Sequence, residues 1–125
     1  MAKRKLPAAS PAEMEVLQVV WQLEKATVQD VLQRLPSSRK VSYATVQTLL
    51  RRLEAKGYVK HTSDGKAHVF FAAVKKETVI AKSVRQFLNG FFGGEALPLM
   101  QHLARHGRID SEDIKRLRKI IRQNK

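Results

Sequence analysis

The chain contains no cysteine, which removes disulfide bonds, thiolate metal ligands and cysteine nucleophiles from its chemistry. Its apolar runs extend over only a few residues, whereas a helix that crosses a bilayer needs about 20 apolar residues. The first ten residues, MAKRKLPAAS, are basic but lack the apolar core of a signal peptide. We therefore expect a cytoplasmic protein with no membrane partner.

Acidic residues are also scarce, with 11 Asp and Glu against 24 Lys and Arg among 125 residues and a formal net charge of +13. No Ser-His-Asp arrangement and no glycine-rich phosphate loop is visible, so we expect neither an enzyme nor a bound cofactor. A charge excess of this size favours a polyanionic partner, either nucleic acid or an anionic surface.

Three helices are predicted between residues 10 and 57. The sequences SPAE (10–13) and TVQD (27–30) are capping boxes, which mark the starts of the first two helices. The third helix lies in KVSYATVQTLLRRLEAKG (40–57), between a favourable N-cap, Ser42, and a favourable C-cap, Gly57. Its apolar residues recur at the spacing of one helix face: Val46, Leu49, Leu50 and Leu53.

A β-hairpin is predicted after the third helix. The Asp64-Gly65 pair lies between two β-rich runs, and this combination is a strong hairpin signal. With these two residues as the loop, His61 lies opposite His68. Two imidazoles without a third ligand make a weak metal site, and the same holds for His102 and His106. We therefore predict no metal site and regard His61 and His68 as spectators or phosphate donors.

The C-terminal part of the sequence contains three further helical patterns, divided by Gly93-Gly94 and by Gly107. Short helices in a segment of this size would struggle to build a core of their own. An intramolecular core is the alternative, but we expect a dimer interface formed by the apolar residues of these helices: Phe87, Leu88, Phe91, Phe92, Leu99, Leu103, Ile114, Leu117 and Ile121.

Together these elements predict a mainly α fold with a small two-stranded β wing, that is, a winged helix-turn-helix followed by a C-terminal helical dimerisation segment. The predicted domains are a flexible basic arm (1–9), a winged-helix DNA-binding domain (10–73) and a helical dimerisation domain (74–125).

The polar face of the third helix is the candidate DNA-reading surface, because helix-turn-helix proteins place this helix in the major groove. Gln can bond adenine and Arg can bond guanine through two atoms each. The alternative is that the helix has only a structural role and that its polar face is simply exposed to solvent. The predicted DNA contacts combine this face with the wing: Ser42, Tyr43, Thr45, Gln47, Thr48, Arg51, Arg52, Lys60 and Lys66.

Four stretches resemble the penicillinase-repressor family of winged-helix regulators, which includes the methicillin-resistance repressors. They are SPAEMEVLQVVW, VSYATVQTLLRRLEAKGYVKH, HVFFA and FLNGFFGG. The resemblance runs from about residue 6 to the end of the chain. It implies a dimeric transcriptional repressor whose N-terminal winged helix binds DNA and whose C-terminal helices form the dimer.

The sequence departs from this family at two places. Penicillinase repressors are inactivated by cleavage of an Asn-Phe bond, and the matching bond here is His102-Leu103. The resemblance therefore does not carry over that cleavage, and a regulatory protease stays an unproven partner. Copper-responsive members carry paired cysteines, which this sequence lacks, so sensing of that type is excluded.

We predict a sequence-specific DNA-binding transcriptional repressor that acts as a homodimer on a pseudo-palindromic double-stranded operator. One alternative is a non-specific or architectural DNA-binding protein that relies on its basic charge alone. Another is a winged helix used as a protein-interaction scaffold, which would bind duplex DNA weakly whatever its sequence.

Overall fold

A computed structural model describes residues 6–36 and 40–124 of the chain. The chain divides into two compact units, Met1–Val79 and Ile80–Lys125. The elements, in chain order, are α1 (Pro11–Leu23), β1 (Lys25–Ala26), α2 (Val28–Arg34), α3 (Tyr43–Lys56), β2 (Val59–Asp64), β3 (Ala67–Ala72), α4 (Lys76–Phe91), α5 (Leu97–Arg105) and α6 (Ser111–Gln123).

The predicted helix caps are confirmed. Both capping boxes form, with the Ser10 side chain bonded to the Glu13 backbone and the Thr27 side chain bonded to the Asp30 backbone. The Ser42 side chain accepts from the backbone of the third residue beyond it, and Gly57 ends α3 in the left-handed conformation at a φ of 94°. These local signals fix where α1, α2 and α3 begin, because each cap satisfies backbone N–H groups that the helix leaves unpaired.

The core of the first unit lies between α1, α2, α3 and one face of the sheet. The apolar stripe predicted for α3 is buried in full, with Val46, Leu50 and Leu53 at 0% exposure and Leu49 at 8%. Val79, which the sequence placed in the second domain, is buried in this core as well. The first unit therefore extends a few residues past the predicted boundary at 73.

The hairpin register differs from the predicted one. Asp64 pairs with Ala67, so the two loop residues are Gly65 and Lys66, and His61 lies opposite Phe70 instead of His68. Gly65 holds the first loop position at a φ of 63°. Lys66 at the second position does not have a positive φ, and a positive φ at the first position alone is the feature of a type II′ turn, whereas an Asp-Gly loop favours a type I′ turn.

The sheet has three strands where the sequence predicted two. The short strand β1 pairs with β3, which gives the order β1-β3-β2 and makes β3 the central strand. A strand of two residues has no alternation to detect, so its pairing depends on the tertiary fold and not on a local pattern.

Residues 6–9 lie against the first unit, although the sequence assigned them to a flexible arm. The Tyr58 hydroxyl donates to the Pro7 carbonyl oxygen at 2.7 Å, and the Lys56 Nζ atom donates to the Ala8 carbonyl oxygen at 2.9 Å. Leu6 also packs against the core. The first five residues of the predicted arm lie outside the described residues.

A buried ion pair joins α1 to the end of α3. The Lys56 Nζ atom lies 2.6 Å from the Glu13 Oε1 atom, and the Glu13 side chain is only 2% exposed. Burial alone would raise the pKa of Glu13, but the hydrogen bond and charge of Lys56 and the hydrogen bonds with Ser10 outweigh burial. The pKa therefore lies below its ordinary value of 4.5.

The second unit contains α5, α6 and most of α4. The predicted glycine boundaries between its helices are present at Gly93, Gly94 and Gly107, all of which have positive φ. The N-cap of α6 is Asp110, which forms a capping box with Asp113. No residue of α5 or α6 is buried. Within the ranges 6–36 and 40–124, no helix is long and apolar enough to cross a membrane.

Replacement of Glu13 by Gln should lower the free energy of unfolding at neutral pH by about 1–3 kcal/mol, because the buried amide leaves the Lys56 charge without its partner. Because the folded-state pKa of Glu13 is lowered, the wild-type advantage exists above the ordinary pKa and is lost as the pH falls through the folded-state value. Denaturant unfolding at several pH values measures both effects.

The matched control is Glu24→Gln, which removes the same charge at an exposed residue. It should change the unfolding free energy by no more than about 0.5 kcal/mol at any pH. Equal effects of the two substitutions would contradict a stabilising role of the Glu13–Lys56 pair.

Candidate nucleic-acid interface

Helix α3 has one face in the core and one face in solvent. Its buried face carries the apolar stripe described above, and this packing turns Thr48, Arg51 and Arg52 outward, where all three are exposed. Tyr43, at the start of the helix, is 49% exposed, and Gln47 is half-buried. The predicted separation of reading residues from core residues is therefore present in the structure.

A groove of about 390 Å³ separates this face of α3 from the wing. Tyr43, Gln47 and Arg51 line it from α3 at intervals of four residues, which places them on a single stripe of the helix. Lys66 lines it from the hairpin loop, and Phe70 from β3. The structure thus brings four of the predicted DNA contacts together in one groove.

Three of the predicted hydroxyl contacts also have structural roles in α3. The Ser42 Oγ atom accepts from the Thr45 backbone N–H at 3.1 Å and lies 3.0 Å from the Thr45 Oγ1 atom. The Thr48 Oγ1 atom donates to the Ala44 carbonyl oxygen at 3.0 Å. All three residues remain exposed, so each hydroxyl oxygen can still contact a ligand.

The two wing lysines lie in different places. Lys66 lines the groove between α3 and the wing, but Lys60 points to the other face of the hairpin, because side chains alternate along a strand. Lys60 instead lines a second cavity, of about 500 Å³, beside Leu6 and Gly57. The structure therefore does not group Lys60 with the reading stripe.

One contact in the groove was missed by the sequence. The Glu54 Oε2 atom lies 2.6 Å from the His61 Nδ1 atom, which links α3 to β2. The His61 ring stacks on the His68 ring with centroids 4.3 Å apart. The hairpin pattern showed that the two histidines share a face, but their acidic partner comes from a different element and leaves no local signal.

The histidines do not complete a metal site in the part of the chain that the structure describes. There, no three His, Asp, Glu or Cys side chains are grouped so that they could hold a metal ion. The His102 ring on α5 and the ring of His106, the C-cap residue of α5, also have centroids 4.3 Å apart, but they are tilted by 44° and not stacked.

The predicted dimerisation residues lie at the surface of the second unit. Phe87, Phe91, Ile114 and Ile121 are exposed, and Phe91 reaches 76% exposure. None of the nine predicted residues is buried. The remaining five are half-buried: Leu88, Phe92, Leu99, Leu103 and Leu117.

A helical trio, a three-stranded sheet with a hairpin wing and an outward polar stripe on the third helix define a winged-helix DNA-binding protein. The family model for the penicillinase repressor matches residues 9–123. The chain therefore belongs to the penicillinase repressor family.

Relatives along nearly the whole chain support this assignment. The penicillinase repressor of Bacillus licheniformis is 28% identical over 122 residues, which cover 98% of this chain and 95% of the relative. The methicillin resistance regulatory protein MecI of Mammaliicoccus sciuri is 25% identical over 112 residues, which cover 90% of this chain and 91% of that protein.

Several solved structures are similar to this chain. The DNA-binding domain of the repressor BlaI is 31% identical, with a TM-score of 0.52 over 59% of this chain and 90% of that one. Monomeric Bacillus licheniformis BlaI in complex with the blaP half-operator is 32% identical, with a TM-score of 0.50 over 58% of this chain and 89% of that one. Wild-type MarR from E. coli, in its apo form, matches 90% of this chain and 74% of its own, with a TM-score of 0.52 at 18% identity, which indicates a shared fold alone.

Family and fold together establish the general activity. The chain is a DNA-binding transcriptional repressor and not an enzyme.

The two faces of α3 should respond differently to substitution. Leu50→Ala should lower the free energy of unfolding by about 2–5 kcal/mol, because it leaves a cavity in the core. Arg51→Ala should change it by no more than about 0.5 kcal/mol, because the side chain is exposed. Denaturant unfolding measures both values. Comparable losses in the two variants would mean that the face assignment is wrong.

Proposed function

We propose that the protein is a cytoplasmic, sequence-specific repressor that binds a pseudo-palindromic operator as a homodimer. The observation that carries this proposal is the stripe of Tyr43, Gln47 and Arg51 on the exposed side of α3, with Lys66 across the groove. A purely solvated helix face has no need of a cationic wing beside it.

In this proposal, the side chains on this stripe contact the base edges and recognise the operator sequence. The exposed Arg51 guanidinium can donate two parallel hydrogen bonds to guanine O6 and N7, and the Gln47 amide can bond adenine N6 and N7. Thr48 extends the same surface toward either base type. Because Arg51 and Gln47 lie one helical turn apart, they would reach base pairs that are close together in one half-site.

In this proposal, the residues around this stripe contact the DNA phosphate backbone. The N-terminus of α3 directs unpaired N–H groups outward, and the exposed Ser42 and Thr45 hydroxyls lie beside them. Arg52, Lys60 and Lys66 add positive charge, which contacts phosphate without reading sequence. These contacts would set affinity and orientation, while the stripe sets sequence preference.

Dimerisation would occur through residues 74–125, which leaves residues 10–73 to bind DNA. The exposed apolar side chains of the second unit, Phe87 and Phe91 among them, need a partner surface to be covered. A second protomer with the same surface supplies that cover and brings a second reading helix. The second half-site is then bound at high effective concentration, which raises affinity without new contacts.

Release of the operator would follow from any event that separates the two protomers. Cleavage by a regulatory protease would be one such event. The His102-Leu103 bond lies inside α5, so a cut there requires local unfolding of that helix first.

Non-specific binding is the second candidate function, because positive charge is not confined to α3. Residues 73–125 carry more than twice as many Lys and Arg as Asp and Glu. Binding driven by this charge alone would weaken steeply with salt and would not depend on sequence.

The operator can be found by recovering DNA fragments bound to the protein from its native genome. On the shared motif, Arg51→Ala should lower affinity by about 1–3 kcal/mol and relax the preference at one base pair in each half-site. Titration of the motif and of single-base variants measures both effects.

Arg52→Ala is the matched control, because it removes the same side chain from an exposed neighbour outside the groove. It should weaken binding to all DNA sequences by a similar factor and leave the base preference unchanged. If Arg51→Ala behaves like Arg52→Ala, Arg51 contacts phosphate and base reading belongs to Gln47 and its neighbours.

Combined replacement of Phe91 and Leu117 by Glu should yield monomers, because charged side chains cannot be buried in an apolar interface. The variant should lose affinity for the full operator and keep the N-terminal unit folded. Sedimentation and circular dichroism measure these two properties.

The same charges placed at Gln86 and Gln101, which are exposed polar residues of α4 and α5, serve as the control and should leave a dimer. A Phe91/Leu117 variant that stays dimeric would show that the interface lies elsewhere.

A further inference from the structure

Glu54 is the one acidic residue of α3 and lines the groove that faces the wing. Negative charge on a surface that approaches phosphate opposes binding, so its position conflicts with the rest of the groove. The neighbouring groove residues Arg51 and Lys66 are both cationic. Glu54 therefore calls for an explanation other than charge complementarity with DNA.

The geometry around Glu54 gives that explanation. Its carboxylate accepts a hydrogen bond from the His61 ring, with 2.6 Å between Oε2 and Nδ1. A carboxylate oxygen can only accept, so this contact is a hydrogen bond in the His61 tautomer whose Nδ1 carries a proton. The bond joins the reading helix to the first wing strand and fixes the orientation of the His61 ring.

His61 in turn supports His68 on the neighbouring strand. The two rings are nearly parallel, at an interplanar angle of 16°, with centroids 4.3 Å apart. In the observed register His61 lies opposite Phe70, so His68 is its diagonal neighbour on the same face of the hairpin. Phe70 is buried, with its ring centroid 5.4 Å from that of His61 and 6.4 Å from that of His68, whereas His68 is exposed at the groove.

The groove has the shape and charge to receive a strand of phosphates. A phosphodiester strand separates the major groove of duplex DNA from the minor groove. A helix in the major groove and a wing over the next groove therefore straddle that strand, which then lies in the space between them. His68, Lys66 and Arg51 border this space and can all donate hydrogen bonds to phosphate oxygens.

We propose that Glu54 is a positioning residue, which acts through His61 to hold the wing against α3 so that His68 donates a hydrogen bond to the phosphodiester strand in the groove. This inference rests on the proposed function, in which α3 enters the major groove. It assigns His68 the role of phosphate donor, one of the two roles that the sequence left open, and gives the only acid of α3 a role in DNA binding.

A positioning role and a purely electrostatic role of Glu54 predict opposite changes in DNA affinity when Glu54 is removed. If Glu54 acts only through its charge, its removal reduces repulsion of phosphate and tightens binding to every duplex. If Glu54 positions the wing, its removal frees the His61 ring and weakens binding, because His68 must then be ordered when DNA binds.

The test measures the affinity of full-length Glu54→Ala, Glu54→Gln and wild-type protein for the recovered operator at fixed salt. Glu54→Ala should bind about tenfold more weakly, the loss expected for about one hydrogen bond. Glu54→Gln should lie between Glu54→Ala and wild type, because its amide oxygen can still accept from His61. Tighter binding by Glu54→Ala, or unchanged binding, overturns the proposal.

Asp64→Ala is the matched control, since it removes an exposed acid of the same wing that does not line the groove. It should bind as tightly as wild type or more tightly. Thermal unfolding of each variant accompanies the titrations, and equal melting temperatures separate loss of positioning from loss of fold. Weaker operator binding by Asp64→Ala would mean that the loss of any acid on the wing has this effect, and it would also overturn the proposal.

His68→Phe tests the second half of the proposal, because it keeps a stacked ring and removes both ring nitrogens. It should weaken operator binding, and Glu54→Ala added to it should cost little more, since the two changes remove one shared contact. Fully additive losses would show that Glu54 does not act through His68. His106→Phe, at the histidine pair with His102 that lies outside the groove, should leave affinity unchanged.

Failure of the positioning proposal can be distinguished from failure of the proposed function. If wild type binds the operator selectively and Arg51→Ala loses that selectivity while His68→Phe binds like wild type, the positioning proposal fails and the repressor proposal stands. If wild type does not prefer the operator, the proposed function fails first.

Discussion

The buried ion pair between Glu13 and Lys56 connects the elements on which the reading surface depends. Glu13 also caps α1 through Ser10, so a single carboxylate ties the start of the first helix to the end of the third. Lys56 reaches the Ala8 carbonyl oxygen as well and holds residues 6–9 in place. Because Lys56 is held within the fold, it does not belong to the cations that the proposed function places against DNA. The basic charge of α3 that is free for a ligand therefore lies on its exposed outer face.

The sequence predicted the elements whose signals are local. Caps at Ser10, Thr27 and Ser42 and the apolar stripe of α3 depend on residues within a few positions of each other, and the structure reproduces them. Because the stripe fixes which side of α3 is buried, it also fixes which side carries Arg51. The glycines that divide the C-terminal helices were predictable for the same reason.

The features that were missed depend on contacts between distant residues. The pairing of β1 with β3 has no periodic signal, and the hairpin loop differs by one residue because Gly65 suits the first position of a different turn. The Glu54–His61 bond joins a helix to a strand, so no spacing rule could reveal it. A lone acid among cations, as Glu54 is on α3, is the one clue that the sequence itself held.

In the proposed function, the two units have different roles. Helix α3 and the wing bind DNA, and the exposed apolar helices of the second unit form the dimer. The central claim is that sequence, and not charge alone, determines where the protein binds. The direct measurement is the ratio of affinities for the recovered operator and for a shuffled duplex of equal length and composition, at one physiological salt concentration. We predict a ratio of at least about a thousandfold. A ratio near one would contradict the claim, because it would mean that the basic charge binds any duplex equally.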